Sequence, residues 1–355
     1  MTLDIAGQYR YPNPNLQWLA LHAEPILDPS LPIVDGHHHL WEEPGKRYLA
    51  ADLIADMSTG HNIVATVFVQ CHYAYRKSGE QHLRPVGETE RIEALRRTMA
   101  VTHPALRACA GIVGFANLLA PGLLESTLDA HGSASPAHFR GVRQSVARDS
   151  HFPQGIVIRP AAPGMLSDPG FIRSMRILGR RNLTFDALLY HEQIGELTVL
   201  ARAAPDTTIV LNHVGCPLGV GWYLGRERET FANWRRDLRR LAECPNVNIK
   251  LGGLGMIITG ARFHLDPTPP TSSQLAAAWH PYFDACIELF GARRCLFESN
   301  FPVDKAMCSY AVLWNAFKRA VSGATAAEKV DLFAHTAQRL YRLDWEGACA
   351  SPTGC

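Results

Sequence analysis

Eight short runs of apolar and β-branched residues punctuate this chain, and longer stretches with helical spacing separate them. The runs are Ile33 to His37, Ile63 to Gln70, Cys109 to Phe115, Phe139 to Arg143, Leu183 to Leu188, Thr208 to Asn212, Asn246 to Leu251 and Cys295 to Glu298. Strand-length runs alternating with helix-length patterns specify βα units around a parallel sheet. Between the runs, Glu88 to Val101 places Ile92, Leu95 and Met99 on one helical face, and Glu192 to Ala203 does the same with Ile194, Leu197 and Leu200. Asp168-Pro169 reads as an N-cap followed by proline at the first helical position, and Thr325-x-x-Glu328 as a capping box. The predicted architecture is α/β, a (β/α)8 TIM barrel over residues 32–343, with residues 1–31 as an arm packed on the barrel and 344–355 as a tail. No Gly-x-Gly-x-x-Gly follows the first run, so a dinucleotide-binding sheet has no support.

Composition narrows the partners. With 355 residues, 47% of them hydrophobic, the chain can bury a core of this size. The net charge is +2, only 19% of residues are charged, and no basic block stands ready for a phosphate backbone or an anionic membrane. A small-molecule substrate is therefore expected, with no nucleic acid and no membrane. No leader pattern and no membrane-length apolar run is present, which predicts a cytoplasmic protein; a homodimer is left open. The nine cysteines include no Cys-x-x-Cys pair and are expected to be reduced thiols, mostly buried, with Cys349 and Cys355 in the tail.

In a barrel the chemistry sits at the C-terminal ends of the strands, so the polar residue that closes each run is informative. The first run closes on Asp35-Gly36-His37-His38-His39. On a strand His37 and His39 share a face about 7 Å apart along the backbone, where they can share a metal, flank a substrate oxygen or simply brace the barrel. The second run ends in Gln70 and His72, the third near Asn117, the fourth in Arg143. The fifth contains Asp186 and leads to Tyr190-His191, the sixth ends in Asn212-His213, the seventh in Lys250, and the eighth runs into Glu298-Ser299-Asn300-Phe301-Pro302-Val303-Asp304. Loops His72 to Pro85, His131 to Ala137, Ser150 to Gly164 and Ile257 to Ser273 are rich in Gly, Pro, Ser or His, as lids and specificity elements often are.

The order and spacing of Asp-x-His-x-His-Leu-Trp, Phe139-Arg140-Gly141-Val142-Arg143, Phe185-Asp186, the Asn212-His213-Val214-Gly215 strand end, Lys250-Leu251-Gly252-Gly253 and Ser299 to Asp304 resemble the amidohydrolase-related family. More narrowly they resemble its branch of lactonases and metal-dependent hydrolases. That resemblance implies a distorted (β/α)8 barrel with one divalent-metal position, usually zinc, although some members work without metal. It also implies an aspartate at the end of the eighth strand as general base. This chain departs there, because Asn300 stands where the pattern has Asp. A neutral amide is a poor base and a weak ligand, so Asp304, four residues on, is the candidate.

The expected catalytic residues are thus Asp304, His37, His39 and His213, with the three histidines as metal ligands if a metal is bound. Arg143 and Lys250 suit a carboxylate or a hydroxylated ring, and His191, Asp186, Tyr190 and Asn300 complete the expected substrate contacts. Each has a plainer use. Asp304 can cap a helix, His191 can cap another, Lys250 can snorkel, Asp186 can orient a neighbouring histidine or arginine, and Glu298 reads as a buried ion pair with Lys250 or an arginine. The expected reaction is hydrolysis of a lactone, with a metal-dependent decarboxylase or a non-catalytic binding barrel as the alternatives.

Overall fold

The computed structural model describes residues 11–43, 45–151 and 160–344. Eight parallel strands follow one another in sequence order around a sheet: β1 Ile33–His38, β2 Ile63–Val69, β3 Arg107–Gly114, β4 Phe139–Ser145, β5 Thr184–Leu188, β6 Ile209–Leu211, β7 Val247–Leu251 and β8 Cys295–Phe297. Each predicted run is one of these strands. The sheet comes round on itself just past β8, where Asn300 N–H donates to the His37 carbonyl (2.9 Å) and His39 N–H to the Phe301 carbonyl (2.8 Å). A helix follows every strand, from Ala50–Met57 after β1 to Tyr310–Ala320 after β8, which makes the fold a (β/α)8 barrel.

Strand alternation sorts the core into two layers. On β6 and β7, Ile209, Leu211, Val247, Ile249 and Leu251 face the surrounding helices. Inside the barrel Val34, Val67, Val113, Val210 and Leu296 meet Tyr341 and Leu343 from the chain's last described segment. The inside-facing residues nearer the strand ends, Asp186 and Lys250, are polar and wholly buried. On β1 the pairing with β2 shifts register between Asp35 and His38, and Gly36 approaches β8 so closely that a Cβ would lie 2.9 Å from the Phe297 carbonyl oxygen. A bulge of this kind re-aims side chains near a strand end.

The helix signals hold locally. The Asp168 carboxylate accepts from the Gly170 and Phe171 amides at 2.7 and 3.1 Å ahead of helix Pro169–Arg180, and Thr325 and Glu328 form their capping box. One expected loop is mostly helix. Pro121–Ala134 runs through His131, whose buried ring sits 2.8 Å from the Thr89 hydroxyl and 3.0 Å from the Phe115 carbonyl; these contacts fix the last turn despite Gly132 and Ser133. Residues 11–31 contact the barrel through Trp18, whose indole donates to the Asp266 carbonyl (2.9 Å), and Lys318, which donates to the Leu27 carbonyl (2.8 Å). The seven described cysteines are all free thiols, whereas Cys349, Cys355 and the rest of the tail from Trp345 lie outside the described residues. Part of the Ser150 to Gly164 loop lies outside them as well. No described helix is long and apolar enough to cross a membrane.

Candidate active site

His37, His39 and His213 meet at the strand ends, all buried. The rings of His37 and His213 are 4.7 Å apart between centroids, those of His37 and His39 4.8 Å. Glu298 ties two of them together. Its Oε1 accepts from both Nδ1 (2.7 Å) and the backbone N–H (3.0 Å) of His213, and its Oε2 lies 2.8 Å from Nδ1 of His37, at ion-pair distance. The expected partner of Glu298 was Lys250 or an arginine, and the structure corrects this. Lys250 instead pairs with Asp186 at 2.7 Å, while its Nζ also lies 3.4 Å from Nδ1 of His37. Asp186 further accepts from the hydroxyls of Tyr341 (2.8 Å) and Thr184 (3.1 Å), so it orients a lysine rather than a histidine or arginine.

Backbone conformation near the end of β6 is unusual in a way that serves the site. His213 has φ +54° and Val214 +48°, a left-handed region that costs branched residues most, and Asn300 beyond β8 has φ +53°. Gly252 and Gly253 give these side chains room. A Cβ on Gly253 would lie 2.5 Å from Nδ1 of His213, and one on Gly252 would lie 2.5 Å from Cγ of Glu298.

Proton accounting shows what the cluster can hold. Nδ1 of His39 is 2.7 Å from the Val69 carbonyl, which only accepts, so His39 carries its proton there and presents a lone pair on Nε2. That lone pair faces Nε2 of His37 at 3.2 Å. With its proton on Nδ1, His37 aims a second lone pair at the first; with the proton on Nε2, its Nδ1 lone pair faces the Glu298 carboxylate. Burial first, then Lys250, holds His37 well below the usual imidazole range, and burial with Arg143 does the same for His39, so a second ring proton is disfavoured. Either neutral tautomer leaves one repulsive contact, which the cations beside His37 offset: Arg143 Nη1 lies 3.3 Å from Nε2 and Lys250 Nζ 3.4 Å from Nδ1. His37, His213 and Glu298 offer ligand atoms all within 4.8 Å of one another, a nitrogen–oxygen set suited to a divalent metal such as zinc.

Arg143 and Asp304 flank this cluster. Arg143 Nη2 donates to the Gln70 carbonyl, and Nη1 lies 3.3 Å from Nε2 of His37. Asp304 is buried; its Oδ1 accepts from the Asn300 amide (2.9 Å) and its Oδ2 from the Gly255 backbone N–H (3.0 Å). Burial nevertheless pushes its carboxyl up to about 8, with the Glu298 charge adding to the effect. Asn300 is thus a donor to Asp304. Of the remaining expected contacts, His191 accepts from the Leu218 N–H (3.3 Å) and packs edge-on against Tyr223, and Tyr190 joins an apolar group with Cys216, Leu218 and Met256.

The amidohydrolase family model matches residues 34–343. The chain belongs to the amidohydrolase family. Among its relatives, the uncharacterized protein y4mH of Sinorhizobium fredii is 30% identical over 88% of this chain and 98% of its own length. The L-fucono-1,5-lactonase of Burkholderia multivorans is 25% identical over 87% of this chain and 96% of its own. A crystal structure of an amidohydrolase from Burkholderia multivorans with bound Zn superimposes with a TM-score of 0.66 at 24% identity, covering 88% of this chain and 99% of that one. That likeness confirms the barrel.

Glu298 is the member of the cluster that sequence reasoning assigned elsewhere. Its position as the last residue of an apolar run, the same place that yields the histidines and Lys250, was the available signal. Gln70 acts through its carbonyl and Gly255 through its amide, and no side-chain pattern announces either.

Proposed function

We propose that this amidohydrolase-family barrel hydrolyses a cyclic ester of a small carboxylated or hydroxylated compound. The observation that carries the reading is Asp304: a buried carboxyl beside the histidine cluster, held by two donors yet raised to about 8, as suits a general base working near neutral pH. The likeness to L-fucono-1,5-lactonase supports a sugar-type lactone.

In this reading Asp304 takes a proton from water as the water attacks the ring carbonyl. The carbonyl oxygen, gaining negative charge, is met by Arg143, whose guanidinium is held in place by Gln70. As the tetrahedral intermediate collapses the C–O ring bond breaks, and Asp304 returns the proton to the departing alkoxide, giving a hydroxy acid. His37, His213 and Glu298 would hold a divalent cation, with His39 beside them. When bound, it supplies Lewis-acid polarisation of the carbonyl. Lys250, fully paired with Asp186, serves the site by charge and positioning rather than by direct contact. Between the loops after β2 and β3 lies a cavity of about 620 Å³, lined by Tyr75, Arg84, Phe115, Asn117 and Gln144.

A panel of aldonolactones assayed by proton release, with wild type and Asp304→Asn side by side, tests the proposal. Turnover lowered by about 10²-fold or more in the variant is expected. Equal turnover would remove Asp304 as the base, and carbon dioxide release from aromatic or dienoic acids without ring opening would select the decarboxylase.

A further inference from the structure

The arm that precedes the family-matched span reaches the neighbourhood of the proposed base. Tyr11 packs against the apolar group of Tyr190, Cys216 and Met256, against which Val303 also packs, and its hydroxyl points to the Met256 sulfur at 3.7 Å. Met256 follows Gly255, the backbone donor to Asp304, and Val303 precedes Asp304. The next arm residues approach from another side. Pro12, Asn13 and Pro14 line a cavity of about 170 Å³ with Trp41, Pro302 and Lys305. Trp41 stacks on His39, with centroids 5.7 Å apart at an interplanar angle of 18°. Residues 11–14 therefore run past both sequence neighbours of Asp304 and past the ring that covers His39. The Asn13 amide, donating to the Gly45 carbonyl at 3.1 Å, anchors this stretch to the hairpin formed by Trp41–Glu43 and Lys46–Tyr48. Burial pushes the Tyr11 phenol upward, with Tyr190, Cys216 and Asp304 adding to the rise.

We propose that the arm forms a wall of the substrate chamber and that Tyr11 is a specificity-determining residue, limiting the size of the ring substituent accepted beside Asp304. The arm lies ahead of residues 34–343, so this wall is set by sequence outside the family-matched barrel. The physical basis is steric: a phenol ring resting on a buried apolar group occupies volume that a substrate substituent would otherwise use, and pockets discriminate by volume at the level of single methylenes. The inference rests on the lactone reading for its substrate class, but the wall itself can be tested without turnover.

Tyr11→Ala, with Tyr11→Phe as the conservative control, is measured in two ways on the full chain. The first is the rate at which a water-soluble carbodiimide with glycine amide labels Asp304, read by peptide mass spectrometry. Tyr11→Ala should label several-fold faster than wild type, and Tyr11→Phe should return the rate toward it, because the ring and not the hydroxyl forms the wall. The second is the ratio of kcat/KM for a lactone carrying a bulky exocyclic substituent over its unsubstituted parent. That ratio should rise by about tenfold in Tyr11→Ala. Wild-type labelling in Tyr11→Ala overturns the proposal, as does an unchanged selectivity ratio in an enzyme that turns lactones over. If wild type opens no lactone, the lactone reading fails while the labelling rates still decide the wall. Tyr11→Leu, which keeps an apolar anchor without the ring, takes the place of the alanine variant should that variant melt early.

Discussion

Glu298 accepts from His213 twice, once from the ring Nδ1 and once from the backbone N–H, through the same carboxylate oxygen. The two hydrogen bonds set both the rotamer and the tautomer of His213 and leave Nε2 with its lone pair. Glu298→Gln keeps the shape but loses the charge, and its amide nitrogen cannot accept. The expected outcome is zinc affinity weakened about 10- to 100-fold, measured by chelator competition, with kcat/KM reduced in parallel. Unchanged zinc affinity would remove Glu298 from the metal position.

The protonation of Asp304 predicts the pH profile. A base must be ionised, so with the carboxyl at about 8 the rate should climb with pH along a limb centred near that value. Stability should move the other way. A folded-state value above the unfolded one, about 3.9, favours the protonated native protein, so this group's contribution is present below about pH 4 and is lost as pH rises through 8. Urea denaturation of Asp304→Asn from pH 4 to 9 should show a flatter decline than wild type. Some slope persists, because burial also raises Asp35 to about 6 and Glu88 to about 7. An identical slope in the variant would contradict the raised value.

The Lys250–Asp186 pair is buried on both sides, and removing one partner strands a charge. Lys250→Met or Asp186→Leu alone should cost about 3–5 kcal/mol in urea denaturation. The double variant Lys250→Met with Asp186→Leu should recover much of that loss, though Tyr341 and Thr184 would lose their acceptor. Additive losses in the double-mutant cycle would show that the two do not interact as a pair.

Gly253 has φ +68° and no room for a Cβ beside His213. Gly253→Ala should cost about 1–2 kcal/mol for the left-handed backbone alone, seen as a lower melting temperature. It should also displace His213 and weaken zinc binding. Lower stability with unaltered zinc affinity would mean that His213 is not a ligand.

The barrel and the histidines could be read from the sequence because both follow from local rules. Strand runs and helical periods record which face of each element is buried, and polar closures such as His37, Arg143 and His213 stand out against apolar neighbours. The Asp168 cap and the Thr325 capping box are decided within four residues. His131 lies in a helix although Gly132 and Ser133 look like a loop locally, because its ring contacts with Thr89 and Phe115 hold the last turn.

What pairs with what was decided only by the tertiary structure. Glu298 lies 85 residues from His213, and Lys250 sits between them in sequence as an equally plausible partner. Register and strand order choose: β7 next to β8 brings Lys250 near Glu298 at the end of the neighbouring strand, but Asp186 on β5 reaches past β6 to the lysine and leaves Glu298 to the histidines. Asn300, a mismatch when read by residue type, donates to Asp304 within one local turn, and what the tertiary structure adds is the closure of the barrel through its N–H to the His37 carbonyl. Sequence determines which faces are buried and which chemistries end each strand; the closed barrel decides which charges meet, because each buried charge takes the partner that geometry places within hydrogen-bond reach.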